Sequence, residues 1–198
     1  MQKIPTLFKR NPTNMAHVLP EVNPDCQWVL DGEGIPTRKY DGTCVMFDGE
    51  RWWARREVKP GKKAPANYRP IETDPNTGKT VGWEPIEQSA FVKFHAQALV
   101  SHDAHFGPTR FEPGTYELIG VKVNGNPERI DPEFGHQLMR HAYAEELPDA
   151  PRSFDALKTW LASFEGEGVV WHHPDGRMAK LKKRDFPAEP AVSFSVEV

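Results

Sequence analysis

Proline is the residue that most restricts this chain. Nineteen prolines are spread through 198 residues, about double the usual usage of roughly 5%, and each one removes a backbone donor and fixes φ. Long connecting loops are therefore expected, and an all-helical bundle is not. Hydrophobic residues at 38% and aromatics at 11% still suffice for a packed core and argue against disorder. The length suits one domain spanning 1–198. Two cysteines, Cys26 and Cys44, make neither a disulfide framework nor a zinc knuckle. With no apolar run near the ~20 residues that span a bilayer and no signal-peptide core after Met1, the expectation is a cytoplasmic, monomeric protein with no membrane partner.

Charge is unevenly distributed. The formal net charge is −3, so nothing global advertises nucleic acid. Between Arg38 and Arg69, however, nine basic residues face four acidic ones. A second basic cluster holds Arg177, Lys180, Lys182, Lys183 and Arg184. Two solvated faces would explain these runs; brought together, they would make an anion-binding surface suited to phosphate.

The first 36 residues read as irregular, with a short strand at Trp28-Val29-Leu30. A hairpin follows, Thr43 to Phe47 and Arg51 to Arg55 around Asp48-Gly49. Residues 59–85, rich in Pro and Gly, read as one long loop, and such loops are usually functional or mobile. A helix is predicted over 86–100, a strand over Thr115–Val123, and a turn at Asn124-Gly125-Asn126-Pro127. A second helix starts after Ser153 as N-cap and carries Phe154, Leu157, Trp160, Leu161 and Phe164 on one core-facing stripe. A second hairpin joins Gly168–His172 to Arg177–Lys182. Helices interspersed with hairpins place the chain in the α+β class with antiparallel sheet.

Both hairpins concentrate charge. A two-residue Asp48-Gly49 loop pairs Arg55 with Gly42 and Arg56 with Asp41, returning both arginines to Lys39-Tyr40-Asp41-Gly42. A lysine crowded by Arg38, Arg55 and Arg56 loses its proton more easily and becomes a nucleophile; the plainer reading is an exposed turn lysine. Gly42 permits close approach of a ligand or backbone. In the second hairpin, Lys180 and Lys182 share a face. A two-residue Asp175-Gly176 loop puts Glu167 on that face, and a three-residue loop beginning at Pro174 sends it to the other. Sharing a face, the carboxylate and lysines would hold a divalent metal and a phosphate together. His102 and His105, three apart without a third ligand, read as surface or capping residues; His172 and His173, before their turn, read as structural, and Cys44 as a small buried residue.

Lys39-Tyr40-Asp41-Gly42 resembles the KxDG nucleotidyl-lysine motif of the covalent nucleotidyltransferases, which include ATP-dependent DNA and RNA ligases and mRNA capping enzymes. Companion motifs follow in the family's order. Arg55 resembles the arginine on the strand after the lysine, and Glu117 in Tyr116-Glu117-Leu118-Ile119-Gly120 the glutamate of the middle strand. Glu167-Gly168-Val169-Val170 resembles the EG-apolar-apolar motif, and Lys180-Leu181-Lys182 the closing KxK. The longer strings, with Thr43-Cys44, Asn124-Gly125-Asn126-Pro127 and Trp171-His172, are most similar to the small 5′-phosphate/3′-hydroxyl RNA ligases, the family of the vertebrate cytosolic RNA ligase. The resemblance implies a nucleotidyltransferase fold, the adenylylation domain of ATP-dependent ligases, with antiparallel sheets flanked by helices. It implies an RNA-repair activity that joins 5′-phosphate and 3′-hydroxyl RNA ends through lysyl-AMP, with ATP and Mg²⁺ (or Mn²⁺).

In that scheme Lys39 is the nucleophile and Arg55 grips the ribose or phosphates. Glu117 meets the ribose hydroxyls or assists the metal, Lys180 and Lys182 hold the α-phosphate, and Glu167 holds Mg²⁺. Asp41 orders the lysine loop. Phe134, His136 and Met139 are candidates for stacking on adenine. Only sixteen residues follow Lys182, so a bare catalytic domain without a C-terminal OB domain is expected, suited to exposed ends. Lys59, Lys62, Lys63 and Arg69 are candidates for backbone contact. A DNA ligase, a capping-type nucleotidyltransferase, or a non-catalytic RNA- or nucleotide-binding domain are the alternatives.

Overall fold

The computed structural model describes residues 2–106 and 111–187, without the side chains of residues 105 and 106. It is a mixed α+β structure with antiparallel sheets and few helices. The chain divides into two units, one built from residues 1–4 and 37–146, the other from 5–36 and 147–198.

The second unit begins with a ribbon of β1 (Phe8–Asn11) and β2 (Asn14–Val22), where the sequence predicts irregular chain. Pro20 is compatible with β2 because a two-stranded ribbon leaves half its donors unpaired. Trp28-Val29-Leu30, expected as a strand, lies instead in a helical turn, α1 (Gln27–Leu30). The cause is local: the Asn23 side chain accepts the Asp25 N–H and Pro24 occupies the first position of a preceding 3-10 turn, two helix-starting signals. The chain leaves the unit along β3 (Ile35–Lys39).

This unit's core is closed by α3 (Phe154–Ser163), on which Leu157 and Leu161 are fully buried and Phe154, Trp160 and Phe164 pack alongside. These residues meet Val169 and Trp171 of β10 (Gly168–His172) and Ala179 and Leu181 of β11 (Met178–Lys182). Each fully buried leucine is worth roughly 1.5–3 kcal/mol. The pairing Gly168↔Lys182 and Val170↔Lys180, with His173 N–H bonded to the Arg177 carbonyl (2.9 Å), selects the three-residue loop that starts at Pro174.

The first unit is a six-stranded sheet in the order β6-β7-β5-β4-β8-β9, formed by β4 (Thr43–Phe47), β5 (Trp52–Val58), β6 (Arg69–Thr73), β7 (Thr80–Pro85), β8 (Gly114–Gly120) and β9 (His136–Arg140). Residues 59–85 are thus not one loop: β6 and β7 lie within them. Pro70 is tolerated because β6 is the edge strand. The predicted 86–100 helix is a 3-10 turn, Ile86–Gln88, followed by α2 (Val92–Phe106). The break falls at Ser89, whose hydroxyl accepts the Phe91 N–H (3.2 Å). Val45, Ala54, Tyr116 and Leu118 turn to one side of the sheet and pack with Ala98 of α2. No described helix is long and apolar enough to cross a membrane.

His95 on α2 is 3% exposed and lies edge-on to Trp52, ring centroids 4.7 Å apart. Burial drives its pKa from 6.5 down to about 4, so the folded protein keeps it neutral while the unfolded chain protonates it. Its contribution is complete above pH 6.5 and is lost as pH falls towards 4, by at most about 3 kcal/mol. Urea unfolding at pH 7.5 and 4.5 should show this loss in the wild type and a smaller one in His95→Phe; equal losses would contradict the assignment.

Candidate functional site

In the first unit, the sequence-predicted residues Arg55 and Glu117 share a sheet face with the Cys44 thiol, on which the Lys39 charge also acts. Cys44 on β4 pairs with Glu117 on β8, and Val45 pairs with Ala54, the neighbour of Arg55 on β5. Alternation therefore sets Cys44, Arg55 and Glu117 on the sheet face opposite the Val45–Ala54–Tyr116 core. The Cys44 thiol is pushed up to about 12, first by burial and then by the Glu117 charge, with Arg55 and Lys39 pulling the other way.

The register of the first hairpin differs from the expected one. Phe47 pairs with Trp52, not Glu50. The Asp48 carboxylate accepts the N–H groups of Glu50 (3.0 Å) and Arg51 (2.9 Å) and the Trp53 indole (2.8 Å), which moves the tight turn to Gly49-Glu50. Those bonds hold the Asp48 carboxyl down at about 2. Arg56 therefore does not return to Asp41; it reaches Glu84 (4.0 Å). Arg38 is likewise met by carboxylates, Glu128 at 2.9 Å and Glu145 at 3.9 Å. The expected crowding of Lys39 by three unopposed arginines is thus not what the structure contains.

The lysine loop is braced from one side by Glu128, a residue that motif reading misses. One carboxylate oxygen accepts the Asp41 N–H (2.8 Å) and the other the Arg38 guanidinium (2.9 Å). Asn124 donates to the Gly42 carbonyl (2.8 Å) and to Asp41 Oδ1 (3.2 Å). It does so from the left-handed region, φ 49°, within the Asn124–Asn126 turn. Gly42 is required by backbone: a Cβ there would lie 2.2 Å from the Leu118 carbonyl oxygen. Lys39 Nζ donates to the Tyr40 carbonyl at 3.5 Å.

Glu117, 9% exposed, pairs its Oε2 with Nε2 of His141 (3.0 Å), while His141 Nδ1 meets Thr115 Oγ1 (2.9 Å). No sequence motif points to His141, which follows β9, a strand not predicted. Of the adenine-stacking candidates, Met139 pairs with Glu117. His136 is buried and stacked on Phe94 (4.9 Å). It lines, with Phe134, His102 and Leu138, a cavity of about 400 Å³ beside α2. The side chain of His105 lies outside the described residues. Of the basic residues proposed for backbone contact, Arg69 lies on β6 with its guanidinium 3.8 Å from the Trp53 ring centroid; Lys59, Lys62 and Lys63 precede that strand.

In the second unit, Lys180 and Lys182 share the β11 face turned away from Ala179 and Leu181. Glu167 bonds Lys182 Nζ and lies 3.5 Å from Arg184. The three-residue loop was expected to turn Glu167 away from the lysines. It does not, because Glu167 precedes the regular strand at Gly168 and the chain leaves β11 after Lys182 in a 3-10 turn. The buried Asp185 secures that departure by accepting the Lys182 N–H (2.9 Å) and Arg10 (2.8 Å). Glu167 offers the hard oxygen donor that Mg²⁺ takes alongside waters and phosphates, and two cations, Lys182 and Arg184, already lie against that carboxylate. His173 is occupied by Glu33 (2.5 Å) and Asp175 (2.7 Å). No protein-family model matches the chain, and a search of curated proteins finds no match.

Removing the Glu128 carboxylate takes from Arg38 the nearer of its two carboxylates and leaves the Asp41 N–H without its acceptor, so Glu128→Ala should cost about 2 kcal/mol. Gly42→Ala should cost more, because Leu118 cannot move without breaking the β4–β8 pairing. Urea denaturation checks both; a neutral Glu128→Ala would contradict the bracing role.

Proposed function

We propose that the chain is an ATP-dependent RNA ligase with a nucleotidyltransferase fold, joining 5′-phosphate and 3′-hydroxyl RNA ends through lysyl-AMP. The observation that carries the reading is that Arg55 and Glu117 share a sheet face at Cys44, where the Lys39 charge also acts, all within one unit. The order of the five motifs along the chain supports it.

The chemistry begins with Lys39 Nζ, once deprotonated, attacking the α-phosphorus of ATP. A P–N bond forms and the bond to the bridging oxygen breaks, releasing pyrophosphate. The terminal 5′-phosphate of RNA then attacks the same phosphorus, freeing the lysine and leaving a 5′–5′ pyrophosphate-linked AMP. A 3′-hydroxyl finally attacks the RNA phosphorus, loses its proton, and expels AMP. Arg55, with forked donors, suits ribose or phosphate oxygens, and buried Glu117 suits the ribose hydroxyls. Lys180 and Lys182 supply positive charge for the phosphates. Glu167 would hold Mg²⁺, whose contribution when bound is to neutralise phosphate charge. ATP and RNA are the partners, and a cytoplasmic monomer belongs to the same reading.

The test is to incubate the protein with ATP, Mg²⁺ and a 5′-phosphorylated RNA, beside the matching DNA. Joined or circular RNA, absent with Lys39→Ala and reduced at least tenfold in well-folded Lys180→Ala and Glu167→Ala, is the expected result. Joining of DNA alone would favour the DNA-ligase alternative. Nucleotide binding without any product would leave a binding domain and overturn the proposal.

A further inference from the structure

Cys44, Glu117 and His141 bring one sulfur, one oxygen and one nitrogen donor within 4.8 Å of one another. We propose that Cys44 Sγ, a Glu117 carboxylate oxygen and His141 Nε2 form a three-ligand site for a borderline-soft divalent transition metal, with Zn²⁺ the ion that fits the donor set best. This is separate from the Mg²⁺ assigned to Glu167; it shares Glu117 with the proposed ribose contact, and metal binding can be read without any ligase activity.

Several features favour a cation here. A thiol with an imidazole and a carboxylate selects zinc over magnesium, which takes oxygen donors. Zinc bonds of about 2.0–2.3 Å set donors roughly 3.3–3.8 Å apart in a tetrahedron, so the site is completed when the 3.0 Å His141–Glu117 pair opens by a few tenths of an ångström and the thiol, within 4.8 Å of both, closes in. His141 is already oriented as metal-bound histidines are, with Nδ1 held by Thr115 Oγ1 at 2.9 Å and Nε2 directed to the carboxylate at 3.0 Å. That nitrogen and oxygen repel unless a proton or a cation lies between them. The strand pairings fix two of the ligands: Cys44 opposite Glu117, and Tyr116 opposite Arg140, the residue before His141.

Binding breaks the Cys44 S–H bond, passes the proton to the buffer and forms the metal–thiolate bond, with no change of oxidation state. Three protein ligands leave a fourth position for water or another donor.

The test uses the whole protein, reduced and stripped with a chelator, titrated with Co²⁺ as a spectroscopic stand-in for Zn²⁺. One equivalent of Co²⁺ should generate thiolate-to-cobalt charge-transfer absorption that Zn²⁺ bleaches and excess Mg²⁺ does not. Cys44→Ser should abolish the band, His141→Gln should weaken binding at least about tenfold, and Cys26→Ser should leave it intact. A second measurement needs no variant: Zn²⁺, but not Mg²⁺, should slow alkylation of Cys44 in the wild type. Absence of the band, its survival in Cys44→Ser, or unchanged alkylation with Zn²⁺ would overturn the site and leave an ordinary Glu–His pair beside a thiol.

Discussion

The approach of Gly42 to the β8 backbone governs the geometry of the first unit. With only hydrogen where a Cβ would stand 2.2 Å from the Leu118 oxygen, the lysine loop can run directly into β4 and take the register Thr43↔Leu118, Cys44↔Glu117. That register settles which side chains share a face. Cys44 and Glu117 turn away from α2, Val45 and Leu118 turn towards it, and β5 follows by pairing Ala54 with Val45. A bulkier residue at position 42 would push β4 away from β8, separating the thiol from the carboxylate and moving the lysine with it.

Charge is handled in the same region by local pairing. Arg38, Arg56 and Arg69 each have a carboxylate within 4.0 Å, from Glu128, Glu84 and Asp48 respectively. Glu128 is 5% exposed at its side chain, where an unpaired carboxylate would be costly; its two oxygens are used by a guanidinium and a backbone N–H. The second unit solves the same problem with Asp185, which meets Arg10 and the Lys182 backbone. Both devices hold the backbone next to a lysine of a motif, which is a structural reason for rigidity at Lys39 and Lys182.

The α+β class, the two hairpins and the stripe of α3 were legible because each depends on local chemistry: turn dipeptides, alternation and helical spacing. The registers were not. Asp48 uses its side chain to capture two N–H groups and shifts the first turn by one residue, which no count of turn formers shows; the sequence left the second turn open between two and three residues, and the pairing selects three. β2 and β6 were hidden by Pro20 and Pro70, which a two-stranded ribbon and an edge strand accommodate, β1 and β7 by the prolines around them, and β9 by its polar sequence, His-Gln-Leu-Met-Arg, whose pairing with β8 is long-range. Within the site, Lys39, Arg55 and Glu117 stood out by motif, whereas Glu128 and His141 act through tertiary contacts that no spacing encodes. Cys44 read as a bland buried residue because its importance lies in what the neighbouring strand sets opposite it.

In the proposed reaction Lys39 becomes covalently bonded to the nucleotide, and locating that bond decides the matter. The protein would be incubated with ATP and a divalent metal, digested, and its peptides analysed by mass spectrometry. One AMP is expected on the peptide containing Lys39, linked through nitrogen and removed by pyrophosphate, which re-forms ATP. AMP on a different residue would contradict that reaction, as would a protein that carries none after bound nucleotide has first been stripped with pyrophosphate.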